Sequence, residues 1–367
     1  MSERTYLDYN ATAPLRPSVR DAMASALSTA ANPSSIHREG VAARRVVTTA
    51  RAKLAAVLNI PAHAVVFTSG GTEANNTVLG SFSDVAVFIS AIEHDSVRNA
   101  TVNPVILPVD GEGRLKLDVL EAQLAASTDA RKLVSVMLAN NETGVLQDIP
   151  AIAKICHAHG ADLHTDATQA FGKLPLDMMT LGADYLTLCG HKVGAPVGVG
   201  AIVGLGLDRL KPLLRGGAQE QRLRAGTENV LAIAGLSALL DEYDACVRDY
   251  ENTKRWQTQV EDALPEAVVY SGNAPRLYNT LCLGMPGVAA ETQLLAFDLD
   301  GIAVSAGSAC SSGKVTASPV LTAMGAAEPA QAIRVSTGWN TTENDITHFI
   351  KAWRRLYQRH TEQQKAA

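Results

Sequence analysis

The 367-residue sequence has no block of like charges: a formal net charge of −5 is spread over 37 acidic and 32 basic residues. That argues against nucleic acid or an anionic membrane as the main partner and leaves small ligands. No uninterrupted apolar run is long enough to span a bilayer, and MSERTYLDYN has no signal-peptide pattern, so a cytoplasmic location is expected. The five cysteines, at positions 156, 189, 246, 282 and 310, form no CxxC pair. Neither a disulfide framework nor a zinc site is expected, and each thiol stands alone. Internal repeats and low-complexity segments are also missing, and only QQKAA at the end reads as disordered. What remains is an ordinary globular composition, 47% hydrophobic, with length for two domains or one large domain with an appendage.

TYLDYNATAPLRPSV reads as an extended arm before a helix from about Ser18 to Ala30. Ser35 is expected as the N-cap of a long amphipathic helix from Ile36 to Leu58. Short apolar strands then alternate with helical segments through VVFT, VAVFI, LVSVML, ADLHT, DYLTL and VGAIV, the pattern of an α/β fold with a parallel-type sheet. A helical stretch from 228 to about 262 marks the boundary. Beyond it, short strands (AVVY, NTLCL, IAVS) among helices at about 291–299 and 342–360 read as a smaller α+β domain joined by the N-terminal arm. The expected division is a large domain over 15–257 and a small one made of 1–14 and 258–367.

Lys192 stands where the strand YLTL runs out into a turn carrying Gly194 and Pro196, before the strand of VGVGAIVG. A lysine there is either a solvated loop charge or an amine in a cleft. In a cleft, desolvation lowers its pKa from roughly 10.4 and frees it to form a Schiff base with an aldehyde. Upstream, LHTDA ends a strand on Asp166, with Gln169 just beyond. The acid either caps a helix or pairs with the ring nitrogen of pyridoxal phosphate, a cofactor that requires an amine, an acid and phosphate donors. TSGGTEANN places Gly71 and Thr72 at a helix start, where free N–H groups, the helix dipole and a hydroxyl favour a phosphate. It is not a Walker loop, since no Gly-Lys-Ser/Thr follows, and a plain strand-to-helix turn fits it too. VGVGAIVGLG lacks GxGxxG spacing and continues a strand where a dinucleotide site needs a helix.

His94, in AIEHDSVRN beside Glu93, is placed to stack on a planar cofactor and trade protons, or to hydrogen-bond structurally. Asn141, in LANNETG, offers an amide to a ligand oxygen or simply forms a turn. Cys310, in SAGSACSSGKVTASPVL, has small polar neighbours, which points to an exposed thiol on a mobile loop, with Lys314 favouring its thiolate. A nucleophile and an inert loop thiol both fit. Arg334, in QAIRVSTGWN, either forks onto a substrate carboxylate or makes a structural ion pair.

LDYNATAP, NPSSIHREG, FTSGGTEANN, EHDSV, ANNETG, HTDATQAFGKLPLD, GHKVGAP, RAGTENV, SAGSACSSG and IRVSTGWNTTE follow one another in the order found in a known family. Over nearly its whole length the sequence resembles the cysteine desulfurases of aminotransferase class V, and their first, nitrogen-fixation and iron–sulfur-cluster group. The resemblance implies a fold type I transferase: a large domain with a mostly parallel central sheet and a smaller α+β C-terminal domain. It implies conversion of L-cysteine to L-alanine with the sulfur passed to an enzyme cysteine as a persulfide, for iron–sulfur cluster assembly or another acceptor.

By the same resemblance, Lys192 holds pyridoxal 5'-phosphate, Asp166 pairs with the ring nitrogen, Gln169 and Asn141 contact the ring oxygen, and His94 stacks on the ring and brokers protons. Thr72, the Gly71 backbone and His191 bind the phosphate, and Thr227 of RAGTENV reaches the phosphate of the other subunit in a homodimer. Arg334, with Asn141, holds the substrate, and Cys310 is the nucleophile. No metal is implied. Cys189 stands where the family usually has serine, a stronger phosphate donor, and is expected beneath the cofactor. The length from Cys310 to the helix near Pro319 places the sequence in the first group. The acceptor protein, a cluster scaffold or a sulfur carrier, is left open, because the chain stops soon after its final helix. Selenocysteine lyase, or another class-V lyase or transaminase, is the alternative enzyme. A non-catalytic scaffold runs against the joint presence of Lys192, Asp166 and Cys310.

Overall fold

A computed structural model describes residues 4–28, 31–307 and 317–366. The arm contributes strand β1 (Thr5–Tyr6), and then seven strands form one sheet: β2 (Val65–Thr68), β3 (Ala86–Ser90), β4 (Val105–Leu107), β5 (Lys132–Ser135), β6 (Ala161–Asp166), β7 (Tyr185–Cys189) and β8 (Gly200–Val203). Their spatial order is β2-β8-β7-β6-β5-β3-β4, and only β8 runs against the rest. Successive residues of a strand feed opposite faces: Val65 and Phe67 join one core while Val66 joins the other, and Phe88 opposes Val87 and Ile89. Both faces are therefore covered by helices, as a parallel sheet requires.

Beyond the sheet, β9 (Val268–Val269), β10 (Thr280–Gly284) and β12 (Ala332–Ser336) form an antiparallel sheet, while β11 (Ile302–Ala303) pairs in parallel with β1. Leu7 of the arm is buried in the same core as Leu283, Phe349 and Trp353. The arm then crosses back: Ala13 N–H donates to the His191 carbonyl at 2.8 Å and Arg16 N–H to that of Gly194 at 3.0 Å. Gly194 has φ +93°, and a Cβ there would stand 3.0 Å from the Pro14 carbonyl, so glycine is what lets the arm lie against this turn.

Several expected elements differ. The first helix spans Pro17–Ala26. The second starts at Arg38, capped by His37 and not by Ser35: His37 Nδ1 accepts from Gly40 N–H at 3.2 Å. The stretch 228–262 is three helices, Val230–Asp241, Tyr243–Glu251 and Lys254–Ala263, and the breaks fall neither at its one glycine, Gly235, nor at a proline. The last helix continues to Ala366, so QQKA is helical through amphipathic continuation of Glu343–Ala366. No helix among the described residues is long and apolar enough to cross a membrane.

Candidate active site

The carboxyl ends of the parallel strands meet the arm in one place, the usual location of ligand sites in such sheets. Asp166 ends β6 and is buried. Its Oδ1 accepts from Thr168 N–H at 2.8 Å and its Oδ2 from Asn75 Nδ2 at 2.7 Å. Lys192, in the loop from β7 to β8, donates to the carbonyls of Asn10 and Ala11 at 2.8 Å each. The same Asn10 carbonyl accepts Gln169 Nε2 at 3.0 Å. Cys189 ends β7; burial pushes its thiol up to about 11, with Lys192 pulling it down and Asp166 pushing it up. Both charges thus act on one buried sulfur.

Where β2 ends, the helix Gly71–Gly80 begins, with Thr72 exposed in its first turn. A Cβ on Gly71 would come 2.9 Å from Thr168 Oγ1, a buried hydroxyl with no nitrogen or oxygen partner among the described residues. Glu73 on this helix accepts from Ser69 N–H at 2.9 Å and from Arg224 Nε at 3.0 Å, which brings the segment carrying the exposed Thr227 to the same turn. His191 is half-buried, pushed down to about 4 by burial and by Lys192, and so neutral at physiological pH.

His94, exposed, caps the short helix Asp95–Arg98 with Nδ1 accepting from Ser96 N–H. Arg334 lies buried in β12. It donates to Asp8 Oδ1 at 2.7 Å and to the Asn141 carbonyl at 3.1 Å, while its buried Nε has no partner among the described residues. The ion-pair reading of Arg334 therefore holds, and one donor is left over. Cys310 and Lys314 lie outside the described residues.

Three site residues were not singled out in the sequence. Asn10 joins the site to the arm: besides its carbonyl, its Nδ2 reaches Thr280 Oγ1 at 2.9 Å and the Asn141 carbonyl at 3.2 Å. Lys173, buried, donates to Asn10 Oδ1 and Gln169 Oε1 at 2.8 Å each, and burial, then Lys192, hold its pKa well below that of a free lysine. Its spacing of four from Gln169 was the one available signal. Asn75 holds Asp166. Glu93, beside His94, is buried with its pKa raised by burial and accepts from Met137 N–H at 2.8 Å. No cluster of metal-binding side chains occurs among the described residues.

The pattern of the aminotransferase class-V family matches residues 5–349. A putative cysteine desulfurase IscS 1 of Bacillus subtilis is 37% identical over 95% of this chain and 97% of its own. The cysteine desulfurase IscS of Dictyoglomus turgidum is 34% identical over 98% and 96%. Among solved structures, a NifS-like protein from Rickettsia africae superposes with a TM-score of 0.91 at 38% identity, covering 97% of this chain and 100% of that one.

Proposed function

Since the chain belongs to the aminotransferase class-V family and acts as a cysteine desulfurase, we propose that it binds pyridoxal phosphate at Lys192 and moves the sulfur of L-cysteine to Cys310. The observation that carries this is the Asn10 carbonyl, which receives both the Lys192 amine and the Gln169 amide and so draws amine and amide to one point.

The residues fit the cofactor. The Thr168 hydroxyl beside Gly71, with no nitrogen or oxygen partner among the described residues, the turn at Thr72 and neutral His191 supply phosphate donors at a helix start. Asp166, held by two donors, presents a carboxylate, and Gln169 with Asn141 supplies amides for the ring oxygen. His94 would cover the ring, Cys189 would lie beneath it, and Thr227 would reach the phosphate of the partner subunit in a homodimer. When bound, the cofactor supplies an aldehyde and a protonated ring that takes up electrons from the substrate Cα.

Lys192 then provides the amine and, once released, takes the Cα proton. Arg334 holds the cysteine carboxylate through its spare donor, at the cost of loosening Asp8 or Asn141. Cys310 thiolate bonds to the substrate sulfur as the Cβ–S bond breaks, and a proton returns to Cβ. The net change is cysteine plus thiol to alanine plus persulfide.

The four cysteines among the described residues are all buried, and burial raises the pKa of each thiol. This supports Cys310 as the carrier. The core shared by Leu7 and Trp353 likewise supports a division into 15–257 and 1–14 with 258–367. The interval from Cys310 to Pro319 supports the first group, with a scaffold or carrier protein as acceptor. The lyase alternative is not favoured by the relatives found.

The test is purified protein mixed with L-cysteine, with alanine measured and each thiol mapped by mass spectrometry. Alanine forms and the extra sulfur sits on Cys310, while Cys310→Ala keeps the cofactor band but stops alanine formation. Normal turnover by that variant refutes the carrier assignment.

A further inference from the structure

Asn75, buried on the helix Gly71–Gly80, is the centre of a polar chain that the proposed chemistry leaves unused. Its Nδ2 donates to Asp166 Oδ2 at 2.7 Å and to Ser96 Oγ at 2.9 Å, and its Oδ1 accepts from Thr187 Oγ1 at 2.5 Å. Ser96 Oγ lies 2.8 Å from His94 Nδ1, to which Ser96 N–H also donates at 3.1 Å. On the other side, Thr187 Oγ1 lies 3.1 Å from His164 Nε2, and Ser135 Oγ lies 2.8 Å from His164 Nδ1.

Two fixed ends set the direction of every bond. An ionised carboxylate only accepts, so the amide NH2 of Asn75 faces Asp166 and its carbonyl faces Thr187. Thr187 gives its hydrogen to Asn75 and accepts from His164 Nε2–H, and His164 Nδ1 takes the Ser135 hydroxyl hydrogen. Burial pushes His164 down to about 4 and so keeps that ring neutral. At the other end, a backbone N–H only donates, so His94 Nδ1 must accept from Ser96. Ser96 Oγ already accepts from Asn75 and turns its own hydrogen toward the same nitrogen. A neutral His94 therefore carries its proton on Nε2, the ring nitrogen that Ser96 leaves for a ligand.

We propose that Asn75 is a positioning residue, whose one amide orients Asp166 and, by fixing the Ser96 hydroxyl, adds a second donor to the His94 Nδ1 that the Ser96 backbone N–H already holds unprotonated, which keeps His94 as the Nε2–H tautomer. The inference rests on reading Asp166 and His94 as cofactor-facing groups, and it sharpens the part His94 plays. In the resting site the histidine offers the sulfur chemistry a hydrogen. Taking a proton directly from a thiol onto Nε2 is closed until Nδ1 is released.

The test uses ¹⁵N-histidine-labelled protein carrying its cofactor, without substrate, with the His94 signals among the nine histidines assigned by their loss in His94→Gln. Wild type shows a pyridine-type, hydrogen-bonded Nδ1 and a protonated Nε2. Ser96→Ala takes away the hydroxyl but keeps the backbone N–H, so it moves the His94 Nδ1 signal part of the way toward that of an unbonded ring nitrogen and leaves the cofactor absorbance band in place. Asn75→Leu moves both, and lowers kcat by about tenfold with little change in KM, the loss of about one hydrogen bond to a charged group.

A proton on Nδ1 in the wild type overturns the proposal even if Asn75→Leu fails to fold. So does an Asn75→Leu protein in which neither signal moves, or a Ser96→Ala protein whose cofactor band shifts as far as that of Asn75→Leu. Wild-type protein that makes no alanine would instead refute the desulfurase reading and leave the tautomer result standing.

Discussion

Cys189 shows how much one atom decides at the residue scale. It stands at the end of β7 with no solvent exposure and a thiol pushed up to about 11, chiefly by burial. A group so protonated is neither a nucleophile nor a strong donor. Thr168 Oγ1 beside it has no oxygen or nitrogen partner among the described residues and meets only this thiol, so this side of the proposed phosphate cradle holds one weak donor and one hydroxyl answered by it alone. Cys189→Ser supplies a real hydroxyl in nearly the same volume. The expected outcome, read by equilibrium titration of cofactor into the stripped protein, is binding tighter by about threefold to tenfold, the worth of roughly one hydrogen bond. Unchanged or weaker binding would remove position 189 from the cradle.

At the scale of elements, the junction of β2, β7 and β8 sets the shape of the site. Gly200 pairs with both Thr68 and Cys189, and a Cβ there would come 2.6 Å from the Leu188 carbonyl and 2.7 Å from Gly70. Those are backbone atoms, so relief requires the strand or the turn to move. Gly200→Ala is expected to cost about 1–3 kcal/mol by chemical denaturation and to weaken cofactor binding with it. Gly80→Ala, at the other end of the helix that starts at this turn, meets nothing within 4 Å and is expected to be neutral or stabilising by up to ~1 kcal/mol. Equal effects of the two would show that Gly200 is not sterically confined.

The same elements show what a sequence conveys. Strand ends were legible because the apolar runs stop abruptly, which placed Asp166 at the end of β6 and Lys192 in the loop after β7. Strand β4, whose Val105 and Ile106 are exposed, carries no alternation to read and was missed. The His37 cap was missed because the first turn of its helix packs on Ser35, where a Cβ on Gly40 would lie 2.5 Å from the Ser35 carbonyl, and only the folded chain shows that approach.

Across the whole molecule, function depends on bringing distant segments together, and this is where a linear reading stops. Asn10 meets Lys192, Gln169 and Lys173 only because the arm crosses from the small sheet to the large one, and Asn75 meets Asp166 and Thr187 only across the strand order. These polar groups are buried, so their protonation is coupled to folding. His164 is held at about 4 against roughly 6.5 unfolded, so the unfolded chain binds the proton first as pH falls. The stability it contributes is complete above about pH 6.5 and is lost toward pH 4, on the order of 3 kcal/mol. Denaturant melts across that range in wild type and His164→Asn are expected to diverge above pH 6 and converge near pH 4. Parallel curves would assign the acid sensitivity elsewhere.

The central claim is that Lys192, and not its buried neighbour Lys173, carries pyridoxal phosphate. Borohydride reduction of the purified protein, followed by peptide mapping, tests it directly. The account predicts a single phosphopyridoxyl adduct on Lys192. An adduct on Lys173, or none on a protein that still makes alanine, would contradict it.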